Sequence, residues 1–574
     1  MIRSTPRLTA LQEKARKPVI AMDAQELGTA RATRHSFSRA LTRTALAGNW
    51  KFSRRIWNID NSGSGTAVYR VDIGDHPVEL VLFSQVISED MRIDRVIAQD
   101  WDVTAALLDH EASSEEISAL SAHVTKQEEG RADSSSLIWG RANRSARYFD
   151  YVVDRLASGQ QPDPTEMSDA AYIMRSTAFY GNGKWGLRDF SGIDPSSPLA
   201  TPYRAQMLAA WLFREFSADL AEHCAAAKSE SAVLLDPQWR RFLGLGNATG
   251  LGMVPYVIRH PQVLDAWVAV RELPLAHAIA AQWAPDSPEW SHACTLLDRS
   301  ASYFEQKKSF TTEPYPTGPE LAKDLASIRA AAHEYAAGGT ISGESVDTPG
   351  AHLHELAASR SVELRQIVDS ILVEIDDSLD AEIESLLRCI DRTQVSPAMP
   401  VSELLELITS NYDWAVSIDF TVKEESAKFW FYSQESEEPR RGIRGKDRGE
   451  VTEHPVGVAR DVKAAFLDLQ QVDLTNSVGE FLVEHPQHWG IVERIQSVAH
   501  LPYSEARVNP LSLDFLPLDL QRFQLALYGM ENFNPQSTDW LRVTLLSGAP
   551  TLKDLNEGVH IDDWLFLPRP ENVA

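Results

Sequence analysis

An octapeptide that occurs twice constrains this chain more than any other feature. Asp102–Asp109 reads Asp-Val-Thr-Ala-Ala-Leu-Leu-Asp, and Asp461–Asp468 reads Asp-Val-Lys-Ala-Ala-Phe-Leu-Asp, with six of eight positions identical. Other fragments echo in the same order. Leu80–Asp90 and Phe429–Glu438 are both apolar runs that lead into Ser-Gln and then acids. Arg141-Ala142-Asn143 matches Arg507-Val508-Asn509, and Tyr172–Gly181 matches Asp539–Gly548, which pairs Arg175 with Arg542 and Thr177 with Thr544. The repeating unit is about 120 residues, too long for a solenoid repeat and about the size of a domain. The order predicts a divergent internal duplication.

The fold expected is therefore α+β, two copies of one α/β unit with pseudo-twofold symmetry joined by a mainly helical middle. The expected boundaries are a weakly structured arm over 1–35, a first repeat over 36–190, a helical connector over 191–400 and a second repeat over 401–574.

Local patterns fill in these segments. Ser36–Trp50 has helical spacing, Val68–Ile73 alternates as a strand does, Val78–Phe83 is an apolar run, and Asn61–Gly65 is a turn. Asp102 and Asp461 each read as the N-cap of a helix, since a carboxylate accepts from the first free backbone N–H groups. Leu208, Trp211, Leu212, Phe216 and Leu220 make the apolar stripe of a helix over 200–228. Pro285–Pro319 reads as a loop-rich connector, and Leu321–Ala337 as a helix stopped by Gly338-Gly339. A single long helix is expected over Val362–Arg392, because Leu364, Ile367, Ile371, Ile375, Leu379, Ile383, Leu387 and Ile390 recur at three or four residues. Its other faces carry Glu374, Asp376, Asp377, Asp380, Glu382 and Glu384. Such a stripe must bury, against the rest of the chain or against a second copy.

A net charge of −26, from 81 acids against 55 bases, argues against nucleic acid or an anionic membrane as partner. No apolar run is long enough to span a bilayer, and the N-terminus lacks the apolar core of a secretory signal. Cys224, Cys294 and Cys389 form neither a disulfide framework nor a zinc pattern. The expected location is the cytoplasm.

Three stretches carry candidate chemistry. Gly244–Met253 (GLGNATGLGM) reads as a structural turn or a ligand loop, with Asn247 and Thr249 as ligand contacts; it lacks the flanking strand of a dinucleotide site and the Gly-Lys-Ser/Thr of a P-loop. Arg440–Gly449 (RRGIRGKDRG) is basic and glycine-interleaved, so Arg441 and Arg444 are candidates to grip a carboxylate or phosphate. Tyr180–Asp189 (YGNGKWGLRD) presents Lys184 and Asp189, candidate catalytic groups, with Lys184 suited to act as base, Schiff-base amine or anion contact. Arg175 and Asn143, echoed in the second copy, are candidates for ligand binding or for buried hydrogen-bond ties. His485-x-x-His488 contains Pro486, a poor helix interior, and His352 and His354 are spaced as on a strand, so no metal site is expected. The cofactor is unknown.

The leading expectation is a cytosolic enzyme acting on a small anionic metabolite in a cleft between the repeats. The alternative is a non-catalytic ligand-binding or scaffolding subunit that dimerises through the long helix.

Overall fold

The computed structural model describes residues 31–87, 101–124, 136–167, 172–181, 197–201, 203–250, 268–306, 318–339, 347–387, 395–422, 430–433, 439–441, 453–455, 459–492, 517–535, 540–559, 564–567 and 569–570. The chain is mixed α and β. It gathers into two compact units: a larger one from Thr29–Thr249, Pro274–Glu384 and Leu525–Ala574, and a smaller one from Met1–Gly28, Gly250–Leu273 and Ser385–Gln524. The stretch 401–574, expected as one repeat, is thus divided between them.

The larger unit is built on a sheet. Strands β1 (Lys51–Ile59), β2 (Gly65–Ile73), β3 (His76–Ser84), β4 (Val103–Leu108), β5 (Ser136–Arg144) and β6 (Tyr172–Gly181) follow one another as an antiparallel meander. β7 (Gly244–Gly250) then pairs parallel with β6. The three-stranded sheet of the smaller unit has the order β10 (Glu453–Pro455), β8 (Trp430–Ser433), β9 (Pro439–Arg441). Back in the larger unit, β12 (Trp540–Leu545) and β11 (Met530–Pro535) extend the main sheet beyond β7.

Both faces of the meander are covered. Val81, Ala106, Leu108 and Trp139 pack with Leu120 of α1 (Ser114–Val124). Helix α2 (Arg204–Lys228) carries Trp211 against Phe52, and Phe216 against Trp57 and Tyr69. A second core is mainly helical: α3 (Pro288–Gln306), α4 (Gly318–Ala336), α5 (Pro349–Ala358) and α6 (Val362–Ile375) bury Trp290, Leu297, Phe304, Leu325, Leu353, Ile367 and Ile371 together.

Several expectations are corrected. Pro288 opens α3 at a position where its missing N–H costs nothing, and Trp290, Leu297, Ala301 and Phe304 form its buried side, so 288–306, within the stretch expected as a loop-rich connector, is a helix. His352 and His354 lie on α5, not on a strand; His354 Nδ1 sits 2.6 Å from Asp369 Oδ1 of α6.

The long helix is broken. α6 ends at Ile375, and helix resumes at Asp380. Asp376 makes the break, with Oδ1 accepting from Ser378 N and Oγ and Oδ2 lying 2.6 Å from His277 Nδ1. Three of the acids on its other faces take basic partners: Glu374 binds Arg34 and Arg39, Asp380 binds Arg34, and Glu384 binds Arg204. Leu364, Ile367, Ile371 and Ile375 are buried within the unit, so the stripe is covered without a second copy.

The repeated octapeptide folds differently in its two places. Asp102 is not a helix cap and Val103–Leu108 is strand β4, buried at all six positions. Asp461 lies in helix α7 (Ala459–Leu469), where Val462, Ala465 and Leu469 are buried. β4 is covered on both faces and buries all six side chains, whereas α7 buries one stripe and leaves Lys463 half-buried, its ammonium donating to Val416 O. The anchor therefore gives no support to a duplication. β3 and β8, and likewise β6 and β12, are strands in both copies, but β6 and β12 belong to one sheet.

Candidate functional site

Lys184, Asp189 and Arg444 lie outside the described residues. Thr249 and Arg441 are described as backbone, on β7 of the larger unit and β9 of the smaller. Asn143, Arg175 and Asn247 fall on three consecutive strands, β5, β6 and β7. Asn143 stands opposite Arg175, and Arg175 stands beside Gly246. All three side chains are half-buried.

Gly244–Gly250 is a strand rather than a loop or turn, and packing explains its first two glycines. A Cβ at Gly244 would meet Leu545 O at 2.5 Å and Ser547 N at 2.9 Å. At Gly246 it would meet the ring of Tyr172 at 2.4 Å. The glycines let β7 lie close to its neighbours on both sides.

Asn143 is partly committed to structure. Its Oδ1 accepts from Asp102 N at 2.7 Å, and Asp102 Oδ2 in turn accepts from Arg144 N at 2.9 Å. Arg141 lies over the Trp101 ring, 4.4 Å from its centroid. These are buried ties of the kind that the sequence left open.

β6 and β7 are joined through α2, and that crossover carries a charge network that sequence reading missed. Glu215, Asp219 and Glu222 are spaced four and then three residues apart on α2, which puts them on one face. Arg240 bridges all three. The Tyr69 hydroxyl donates to Asp219 Oδ2 at 2.5 Å. Arg214, fully buried, donates to Glu215 Oε1 and to the carbonyls of Leu243, Arg240, Arg241, Ala549 and Pro550.

Burial lowers Arg214 to about 10, against the pull of Glu215. It raises Glu215, against Arg214 and Arg240, and raises Tyr69, where the Asp219 charge acts in the same direction. The arginine bridges the acids from within the protein, so the network is a structural tie. The spacing of its acids in the sequence was a visible signal, obscured by the apolar stripe on the same helix.

His277, Asp376 and Ser378 have the composition of a hydrolytic triad without its geometry. Ser378 Oγ and Asp376 Oδ2 both approach Nδ1 of His277, at 3.3 and 2.6 Å, and Ser378 donates directly to Asp376 Oδ1 at 2.6 Å. A triad serine must meet the opposite ring nitrogen from the acid. One cluster among the described residues has a metal-type donor set: Asp468, His485 and His488 in the smaller unit, whose ligand atoms all lie within 4.8 Å of one another.

No family model matches the chain, and no curated protein and no solved structure matches it either.

Proposed function

We propose that the chain is a cytosolic enzyme that takes a small anionic metabolite at the carboxyl ends of β6 and β7 in the larger unit. The observation that carries this reading is the parallel pairing of those two strands, at the point where an antiparallel meander changes direction through a helical crossover. In α/β sheets, ligands gather beyond the carboxyl ends of parallel strands joined by a helical crossover, and β6 and β7 are such a pair. The chain leaves β6 directly into the stretch with Lys184 and Asp189. Arg175, six residues before the end of β6 with Asn143 opposite it, supplies cationic and amide donors of the kind a carboxylate or phosphate needs, so the proposed site extends from the strand ends back along β6. Lys184 then serves as the base or anion contact, and Asp189 as its acidic partner.

This reading needs no duplication and no cleft between repeats. Burial also raises the thiols of Cys224 and Cys294, as suits inert packing residues. Among the described residues, no helix is long and apolar enough to cross a membrane.

The test is mass spectrometry of small molecules released when the purified protein is denatured. A thermal-shift panel of phosphate- and carboxylate-bearing metabolites would accompany it. A released anion, or a shift lost in Arg175→Ala, supports the reading. A chain that carries nothing and responds equally with and without Arg175 overturns it, and the non-catalytic subunit becomes the better account.

A further inference from the structure

We propose that Asp468, His485 and His488 form a binding site for a divalent transition metal, zinc in the first instance. The sequence argued against it because Pro486 cannot sit inside a helix. The structure uses that proline otherwise. Helix α8 (Val478–Glu484) starts at a capping box in which Ser477 accepts from Glu480 N, and Glu480 accepts from Ser477 N. It stops at His485, and Pro486 opens a single 3-10 turn that ends at His488. The turn brings both imidazoles to one place, where Asp468 arrives from the last turn of α7.

Orientation is set by Phe481, one helical turn before His485. Its ring stacks on His485 at 4.9 Å and on His488 at 5.8 Å, the latter within 1° of parallel. Held this way, His488 Nε2 lies 2.7 Å and His485 Nδ1 3.6 Å from the same oxygen, Asp468 Oδ2. A hydrogen bond donated to Asp468 would account for His488 alone. It does not account for a second imidazole turned with its nitrogen toward that oxygen. Gln487 adds to the convergence, its amide nitrogen being 3.5 Å from both His485 Nδ1 and His488 Nε2. Half a turn of that amide would offer an oxygen as a fourth donor.

The spacing suits a small ion. Zinc bonds of about 2.0–2.2 Å in a tetrahedral shell place donors about 3.3–3.5 Å apart. The present separations need only side-chain adjustment to reach this. Two nitrogens and a carboxylate select against calcium and magnesium, which take oxygen shells, and suit zinc, cobalt, nickel or copper. His488 is buried while His485 and Asp468 are partly exposed, so the ion has a path in and a coordination position facing water.

The test uses the full-length protein stripped with a chelator and titrated with Zn2+ against a chromophoric competitor, then with Co2+ while following its visible absorption. One equivalent of Co2+ with an intense low-symmetry band is expected, and a rise in melting temperature with Zn2+. His485→Ala leaves the buried His488–Asp468 bond in place, and should weaken zinc at least about tenfold. Asp468→Asn should do the same, with unchanged circular dichroism as the control for folding. If wild type and His485→Ala bind with one stoichiometry and affinity, the metal sits elsewhere among the 16 histidines and the proposal fails. It fails equally if wild type takes no zinc. Arg175→Ala should retain full zinc affinity, so the outcome is independent of the anion site.

Discussion

The ring of Tyr172 on β6 lies over Gly246 on β7, so close that a Cβ at residue 246 would meet its Cγ at 2.4 Å. Tyr172 is itself buried, edge-on to Tyr148 at 6.0 Å, and has little room to yield. Gly246→Ala should therefore destabilise the larger unit by about 1–3 kcal/mol through overpacking. Tyr172→Ala removes the obstacle, so Gly246→Ala should cost much less in that background. Urea denaturation of the four proteins in the cycle measures the coupling. Strictly additive costs would show that the glycine is not there for the tyrosine.

Arg240 holds three carboxylates of α2 together, and its loss leaves acids that are poorly solvated. Arg240→Ala should cost about 3–5 kcal/mol, the range for removing one partner from a buried ionic group. The sign of the pH dependence follows from the acids. Burial already holds Glu215 and Glu222 above the ordinary value of 4.5, against the Arg240 charge, and removing that charge raises them further. A raised carboxyl favours the folded state below the unfolded value, and that contribution is lost as pH rises through the folded one. The deficit of Arg240→Ala against wild type should thus be largest at neutral pH and shrink toward pH 4.5. A deficit that is flat across this interval would mean that the acids do not sense the arginine.

His35 gives the opposite slope. It is buried, Asp380 Oδ1 lies 3.6 Å away, and its Nε2 makes no hydrogen bond. Burial, and then the charges of Arg43 and Arg34, hold it well below the ordinary 6.5. The unfolded chain therefore takes up a proton near pH 6.5 that the folded chain refuses. Stability is fully present above 6.5 and declines as pH falls toward the folded value. His35→Gln should flatten this part of the stability profile, measured as melting temperature between pH 7.5 and 5. An unchanged slope would place the titrating group elsewhere.

What the sequence made legible was local. The helix over 204–228, the meander strands β2 and β3, and the turn between β1 and β2 follow from periodicity and turn residues, and stand close to where they were expected. The failures have one cause, that neighbours distant in sequence decide burial. Val103–Leu108 and its echo carry nearly the same apolar pattern, and only the two faces covering β4 make one a strand. The glycines of 244–250 resemble a ligand loop until Tyr172 and Leu545 are seen against them. Pro486 argued against a histidine pair on a helix, and was right about the helix while missing the turn that follows. Asn143 and Arg175 follow from the echo and Asn247 from the glycine-rich stretch, and nothing in the sequence indicates that the three fall on adjacent strands.

The adjacency of Asn143 and Arg175 yields the last prediction. If the pair grips an anion, charge and geometry separate on substitution. Arg175→Lys keeps the charge and loses the planar fork; Arg175→Ala loses both. Affinity for the released or panel-identified anion should fall in that order, by about tenfold or more for alanine, the scale of one charge-assisted hydrogen-bond pair. Rising ionic strength should weaken wild type more than Arg175→Ala, because only the former has the full electrostatic attraction to screen. Lys184→Ala should lower turnover more than affinity, since its proposed role is in the chemical step. Calorimetry at two salt concentrations, with turnover assayed on the same preparations, checks all three. Equal affinities for wild type, Arg175→Lys and Arg175→Ala would remove Arg175 from the site, and would return its half-buried guanidinium to the same structural service that Asn143 gives Asp102.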